Sequence, residues 1–266
     1  MRELFFKLFG PSHFDTGITV TAFSISHIIY LVLIIGGIVG GYFLLRNSTL
    51  EKKTKVLGIL VNLLVLSYVS DFFVHEFVYG TPDAPGGLNM DKLPFHICTA
   101  LCPLAAFVQH NKKFQWMHEP VVILSCLTPL MYLGFPASVG DAEPWCYQAV
   151  QTMFFHGILL AWGVLSITLG VVKLDIKKCY KSAIVLAVFT LWAKLGSVLL
   201  EHNWFFLNED AFYIGLVEGG VIPKWTLMII NPVVIFSAVL ALYGIYYLVL
   251  HIKEKSSKNI ETEKKA

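Results

Sequence analysis

Long apolar runs separated by short polar segments dominate the chain. Seven of these runs reach roughly 17–25 residues, the length with which a helix crosses the ~30 Å hydrocarbon layer of a bilayer. The pattern predicts an all-α fold, a polytopic membrane helix bundle with about seven transmembrane helices. The predicted helices cover residues 23–45, 56–79, 93–109, 117–134, 145–171, 182–202 and 225–250.

The charges between the runs alternate from one connection to the next. Basic residues follow the first, third, fifth and seventh runs, whereas acidic residues dominate the other connections. Because cytoplasmic loops carry an excess of lysine and arginine, this alternation predicts an N-terminus outside and a cytoplasmic C-terminus. The basic positions between helices are Arg46, Lys52, Lys53, Lys55, Lys112, Lys113, Lys173, Lys177, Lys178 and Lys181.

The predicted bundle divides the chain into three parts. Residues 1–22 interleave aromatic and basic positions and are expected to form an amphipathic extracytoplasmic lead-in, which lies flat on the membrane or packs on the first helix. Residues 23–252 are the seven-helix transmembrane domain. Residues 253–266 are polar and of mixed charge, so a disordered cytoplasmic tail is expected there.

Composition agrees with the class that the pattern predicts. Of the 266 residues, 56% are hydrophobic and 14% are charged, and the mean hydropathy is +0.67. Soluble domains have roughly 45–50% apolar and about 25% charged residues. A multi-pass protein of the cell membrane is therefore expected. The net charge of +2 provides no basic face for a run of phosphates, so nucleic acid is excluded as a partner.

Ionisable side chains nevertheless interrupt the apolar runs. Each uncompensated charge inside a bilayer costs roughly 2.5–3.5 kcal/mol, so a chain that carries several is expected to use them. With the predicted orientation they gather in the outer half of the membrane, together with His27 and Asn231, and the inner half is almost uniformly apolar. The residues are Asp71, His75, Glu76, His96, Cys98, His156, Lys194 and Glu201.

Helical spacing sorts these side chains into stripes, because residues three or four apart share a helix face. Three stripes at similar depth predict one internal polar cavity. The alternative is that single pairs, Asp71 with Lys194 or Glu201 with His75, only neutralise each other. The stripes are Ser67, Asp71 and His75; Gln148, Thr152 and His156; and Lys194, Ser197 and Glu201.

The start of the third helix holds a histidine, a thiol and a hydroxyl close together. A histidine beside a cysteine can generate the thiolate that acts as nucleophile in acyl transfer. In a regular helix, however, His96 and Cys98 face apart, since residues two apart differ by ~200°. The base for Cys98 is therefore expected from another helix, with His156 as the supplier. Thr99 with His96 or His156 is the competing pair.

Three short motifs resemble those of the YwaF family of bacterial integral membrane proteins. That family shows FS..H in its first helix, LP.H.C at the start of a middle helix and a later F..HG, in the same order. The matching runs here are FSISHIIYL around His27, LPFHIC at 93–98 and FFHG at 154–157. This resemblance covers helices one to five.

The same family is similar to the eukaryotic transmembrane protein 164 acyltransferases, which move fatty acyl chains between phospholipids through an acyl-cysteine step with a histidine partner. The resemblance implies that His96 follows the position of the eukaryotic cysteine and that His156 is the partner histidine. The eukaryotic cysteine itself falls on Phe95, so Cys98 would have to replace it. Thr99 matches a threonine of the motif, and related multipass lipid hydrolases use a threonine.

Three functions are consistent with these residues. The first is a phospholipid acyltransferase or hydrolase that needs no cofactor or metal, with membrane phospholipids as partners and with Lys194 or Asn231 as oxyanion donors. The second is a zinc hydrolase built on His75, His96, His156 and an acid. The third is a transporter or channel with a polar pathway. For the first, the catalytic residues are Cys98, His156, His96 and Thr99, and the substrate-binding residues are Asp71, His75, Lys194, Glu201, Asn231 and His27.

Overall fold

The computed structural model describes residues 17–78, 90–136, 139, 142–207 and 223–263, and in these ranges its regular secondary structure is helical throughout. Seven long helices correspond one to one with the seven predicted runs, which confirms the all-α bundle. They are α1 Ile25–Leu45, α2 Leu50–Val78, α3 Ile97–His110, α4 His118–Gly134, α5 Tyr147–Thr168, α6 Tyr180–Leu199 and α7 Leu227–Glu263.

Length and hydropathy let six described helical segments cross a membrane, and α4 is the exception at 17 residues. Four helices form a ring in which α3 packs between α2 and α4, and α5 closes the ring between the same two helices. α1 covers the outside of α5, and α7 packs on α4 and α6. The ring holds many of the largest fully buried side chains, among them Trp162 and Leu124, whereas α1 leaves most of its apolar side chains exposed, as lipid contact requires.

Consecutive helices run in opposite directions, so their ends meet in two layers. His27 near the start of α1 bonds to Leu133 near the end of α4, and Lys92 before α3 bonds to Gln151 near the start of α5. We call this layer the site end. At the opposite end, Gln109 of α3 bonds to Thr54 of α2.

Two helix starts differ from the predicted ones for local reasons. α2 begins at Leu50 because Thr49 caps it, with its hydroxyl accepting from the backbone N–H of Lys52 at 3.3 Å. α3 begins only at Ile97, because Pro94 disfavours helical backbone at Leu93 and the N-cap residue His96 has an extended backbone, with φ −83° and ψ 145°.

The two ends of the chain were expected to lie outside the bundle. The predicted lead-in, residues 1–22, lies outside the described residues up to residue 16, and residues 17–21 are not helical. α7 continues to Glu263, whereas a disordered tail was expected from residue 253. Lysine and glutamate, which are frequent in this segment, are good helix formers and let the helix continue beyond its apolar part.

Glycine permits the closest approach between α4 and α5. A Cβ atom added at Gly163 of α5 would lie 2.9 Å from both the backbone nitrogen and the sulfur of Cys126 on α4. A Cβ atom added at Gly36 of α1 would meet nothing within 4 Å. The two helical glycines therefore form a matched pair for mutagenesis.

We expect Gly163→Ala to lower the free energy of unfolding by about 1–3 kcal/mol, because the backbone of Cys126 must shift to admit the methyl group. Gly36→Ala should instead stabilise the protein by roughly 0.5–1 kcal/mol, since alanine favours helix and no atom is displaced. Thermal unfolding of both variants in detergent measures the difference. Equal midpoints would contradict the close contact between α4 and α5.

Candidate functional site

A mostly buried ion pair connects α2 to the segment before α3 at the site end. The carboxylate of Asp71 is fully buried, and the ammonium nitrogen of Lys92 lies 3.8 Å from its Oδ2. Lys92 ends a short 3-10 turn, Met90–Lys92, whose last carbonyl accepts a hydrogen bond from the hydroxyl of Tyr68 at 2.7 Å. Asp71 therefore has a lysine partner from a connecting segment.

Gln151 of α5 completes this network. Its Oε1 accepts from the ammonium group of Lys92 at 3.0 Å and from the hydroxyl of Thr152 at 3.3 Å. Its Nε2 donates to the carbonyl oxygen of Ser67 at 3.0 Å, one turn before Asp71 on α2. Both ends of the amide are thus used, and α2, α5 and the turn before α3 are fixed to one another.

His156 lies one turn after Thr152 on α5 and is buried. Its Nδ1 lies 2.8 Å from the carbonyl oxygen of Thr152, and because a carbonyl only accepts, Nδ1 carries the proton. In the neutral ring, Nε2 then carries the lone pair. Within the described residues, Nε2 has no hydrogen-bond partner, so it is available as a base.

Tyr132 of α4 fixes the plane of this ring. The rings of Tyr132 and His156 are stacked with centroids 3.9 Å apart and an angle of 10° between their planes. Phe155 packs edge-on against the same imidazole. The Thr152 carbonyl and the two aromatic rings together hold the imidazole in one orientation.

Cys98 contacts the face of α4 that also carries Tyr132. Its Sγ donates to the hydroxyl oxygen of Thr128 at 3.5 Å, and Thr128 in turn donates to the carbonyl of Leu124. Thr128 and Tyr132 are four residues apart and therefore neighbours on one helix face. Cys98 and His156 thus contact adjacent positions of α4, although the thiol bonds to Thr128 and not to the histidine.

Thr99 is part of the start of α3. Its hydroxyl lies 2.9 Å from the carbonyl of Leu93 and 2.8 Å from that of His96, and it donates to these two oxygens. No hydrogen bond joins Thr99 to a histidine ring in the described part of the chain. This geometry gives Thr99 the role of holding the loop before α3 against the first turn of the helix.

His96 contacts Asp91 just outside the start of α3. It is the N-cap residue of α3, and its Nε2 lies 3.5 Å from Oδ1 of Asp91. Nε2 of His202, just after α6, lies 2.8 Å from the same oxygen. These three side chains form a second cluster, which joins the turn before α3 to the end of α6.

The remaining predicted residues are spread over the site end. His27 is fully buried, with Nε2 2.7 Å from the carbonyl of Leu133 and Nδ1 accepting from the N–H of Phe23 at 2.9 Å, so it joins α1 to α4. Asn231 donates to the carbonyl of Phe205 at 3.1 Å. Lys194 is half-buried on α6 and Glu201 is exposed after α6 with a φ of 51°. The side chain of His75 lies outside the described residues.

Sequence reasoning missed Lys92, Gln151 and Tyr132. Lys92 was overlooked because its connection contains mostly acidic residues and was assigned to the exterior. The available signal was that Lys92 lies only five positions before the first residue of α3. Within the described ranges, no group of three or more His, Cys, Asp or Glu side chains is arranged to hold a metal ion, so the zinc hypothesis gains no support there.

A family model described as the TMEM164 family matches residues 22–247. The chain belongs to the TMEM164 family. Comparisons with curated proteins and with solved structures found no match. The family match and the apolar helices together identify a multi-pass membrane protein. The resemblance to the bacterial YwaF proteins stays a prediction.

In this member of the TMEM164 family, Phe95 occupies the position to which the resemblance assigned the eukaryotic cysteine. Its ring centroid lies 4.9 Å from that of Trp192 on α6 and 4.6 Å from that of Trp204. A Cβ atom added at Gly196 of α6 would lie 2.4 Å from the Phe95 ring. The side chain of residue 95 thus packs toward α6, whereas Cys98 faces α4.

Proposed function

We propose that this protein is a membrane enzyme that cleaves or transfers acyl chains of phospholipids, with Cys98 as nucleophile and His156 as general base. The observation that carries the proposal is the environment of His156, a buried imidazole whose Nδ1–H is bound and whose Nε2 is available. Membership of the TMEM164 family is consistent with lipid chemistry. We place the enzyme in the cell membrane with its site end outside, as the charges of the connections predict.

Cys98 is preferred to Thr99 as nucleophile. The thiol reaches the face of α4 that carries Tyr132, the stacking partner of His156. The hydroxyl of Thr99 instead donates to two carbonyl oxygens of its own loop. Because apo enzymes often hold catalytic hydrogen bonds in loose geometry, a rotation of Cys98 away from Thr128 upon substrate binding fits the arrangement.

The proposed reaction proceeds in two steps. His156 Nε2 takes the proton of the Cys98 thiol while the sulfur attacks the ester carbonyl carbon, and the ester C–O bond then breaks. The leaving lysophospholipid oxygen receives the proton from His156. In the second step the hydroxyl of an acceptor lipid, or water, loses its proton to His156 and attacks the thioester. The C–S bond breaks, and the sulfur regains the proton.

The test is an acyl-exchange assay with purified protein in phosphatidylethanolamine vesicles that contain lysophosphatidylcholine as acceptor. Acylated phosphatidylcholine identifies a transferase, and free fatty acid identifies a hydrolase. We expect Cys98→Ser and His156→Ala to abolish both products while the protein stays folded. Cys102→Ser is the matched control, since Cys102 is a buried thiol one turn further along α3.

Other outcomes would redirect the proposal. Full turnover in Cys98→Ser together with its loss in Thr99→Val would make Thr99 the nucleophile. Stoichiometric zinc that disappears with His96 or His156 would favour the zinc hydrolase. Ion or solute flux through vesicles of unchanged lipid composition would favour a transporter.

A further inference from the structure

Lys92 is a mostly buried lysine that was not among the predicted site residues. Its side chain is 15% exposed, and its ammonium group contacts Oε1 of Gln151 and Oδ2 of Asp71. A lysine ammonium group has three N–H donors. Because these two oxygens are its contacts among the described residues, one donor remains for a ligand.

The pairing with Asp71 determines which ligand suits this donor. An isolated buried ammonium group would hold an anion, such as a fatty acid product, tightly. Since the charge of Lys92 is balanced by a fully buried carboxylate, the pair has no net charge and suits a neutral group. An ester carbonyl is neutral in the ground state and becomes negative only in the transition state, where a pre-positioned donor stabilises it.

Lys92 and His156 are fixed to the same turns of α5. Lys92 bonds to Gln151, whose Oε1 also accepts from Thr152, and the carbonyl of Thr152 accepts from His156. His96 is directed to Asp91, whereas Lys92 is held on the α5 side by Gln151.

We propose that Lys92 is the oxyanion donor of the site and that Asp71 and Gln151 are its positioning residues. This inference rests on the proposed acyl chemistry and deepens it. During attack by the nucleophile, the ester carbonyl oxygen accepts a hydrogen bond from the remaining N–H of Lys92. The proton of this N–H stays on Lys92. The expected donors were Lys194 or Asn231, but the amide of Asn231 donates to the carbonyl of Phe205 and Lys194 is half-buried on α6.

The experiment measures kcat and KM for acyl release from phosphatidylethanolamine vesicles. Removal of an oxyanion donor lowers kcat by about 10²–10³-fold with little effect on substrate binding. Because Lys92→Met leaves the Asp71 carboxylate buried without its lysine, the variant Asp71→Leu/Lys92→Met is measured beside it. Lys92→Arg keeps the charge and should restore part of kcat. Lys53→Met is the matched control, since Lys53 also donates a hydrogen bond between helices, to the backbone carbonyl of Leu169, but at the opposite end.

The outcomes separate this inference from the function on which it rests. The inference is supported if the double variant folds and loses kcat while KM stays within a few-fold of wild type. A folded double variant with the kcat of wild type overturns the role of Lys92 and leaves the acyl chemistry intact. A wild-type protein that releases and transfers no acyl chain overturns the proposed function, and the role of Lys92 with it.

Discussion

Asp71→Leu should lower the free energy of unfolding by about 3–5 kcal/mol, the cost of leaving one member of a buried ion pair without its partner. The carboxylate is fully buried, and among the described residues the Gln151 oxygen is the side-chain contact that Lys92 keeps after the substitution. Leucine has the same number and branching of side-chain heavy atoms as aspartate, so the loss of the charge dominates the effect. Thermal and denaturant unfolding in detergent measure the change.

A double-mutant cycle distinguishes the loss of the ion pair from a change in side-chain packing at position 71. Replacing both charges, as in Asp71→Leu/Lys92→Met, should recover most of the stability, because a well-packed apolar pair costs no desolvation. Lys178→Met is the matched control. Its ion pair with Asp175 at 3.4 Å is about half-exposed, so a loss of at most about 1 kcal/mol is expected. A double variant no more stable than Asp71→Leu alone would contradict this account.

The sequence predicted the helices well because the physical signal for a transmembrane helix is strong. Twenty apolar residues in a row have few alternatives in lipid, and each predicted run corresponds to one helix. The boundaries were less predictable, since they depend on single residues such as the Thr49 cap of α2 and Pro94 before α3. The continuation of α7 to Glu263 depends on helix propensity, which a hydropathy pattern does not measure.

The depth of the site residues along their helices was predictable from the sequence, but the partners of their hydrogen bonds and ion pairs were not. Depth follows from the distance along each helix, and this placed Asp71, Thr152 and His156 in one layer, where the structure has them linked through Lys92 and Gln151. Pairing depends on where connecting segments fold back, and no helical period describes the turn that brings Lys92 to Asp71. Partners that lie on helices can be derived from helical spacing, whereas partners that lie in connecting segments are found only in the three-dimensional structure.

The prediction that the other half of the bundle is almost uniformly apolar was wrong. Glu119 in the first turn of α4 is buried at the opposite end. Its Oε1 accepts from the hydroxyl of Tyr243 on α7 at 2.7 Å and from the backbone N–H of Asp175 at 2.6 Å. The hydroxyl of Tyr247 bonds to the carbonyl of Leu174 in the same loop. This cluster ties the connection between α5 and α6 to α4 and α7.

We therefore expect Glu119→Ala to lower the free energy of unfolding by about 2–4 kcal/mol, because two donors lose a charged acceptor and one of them, the Tyr243 hydroxyl, is fully buried. Glu119→Gln should cost less, since the amide oxygen still accepts, and Glu254→Ala on the exposed face of α7 should cost little. Unfolding of each variant in detergent measures these differences.

A variant of Tyr243 tests whether its hydrogen bond to Glu119, which we call the clamp between α4 and α7, contributes more than apolar packing does. Tyr243→Phe should destabilise the wild-type protein by about 1–2 kcal/mol, since it removes the hydroxyl that Glu119 accepts from. In the Glu119→Ala background the same change should be neutral or stabilising, because it removes a buried donor that has lost its acceptor. Equal costs in the two backgrounds would show that Glu119 and Tyr243 act independently, and the packing of α7 on α4 would then have to rest on apolar contacts.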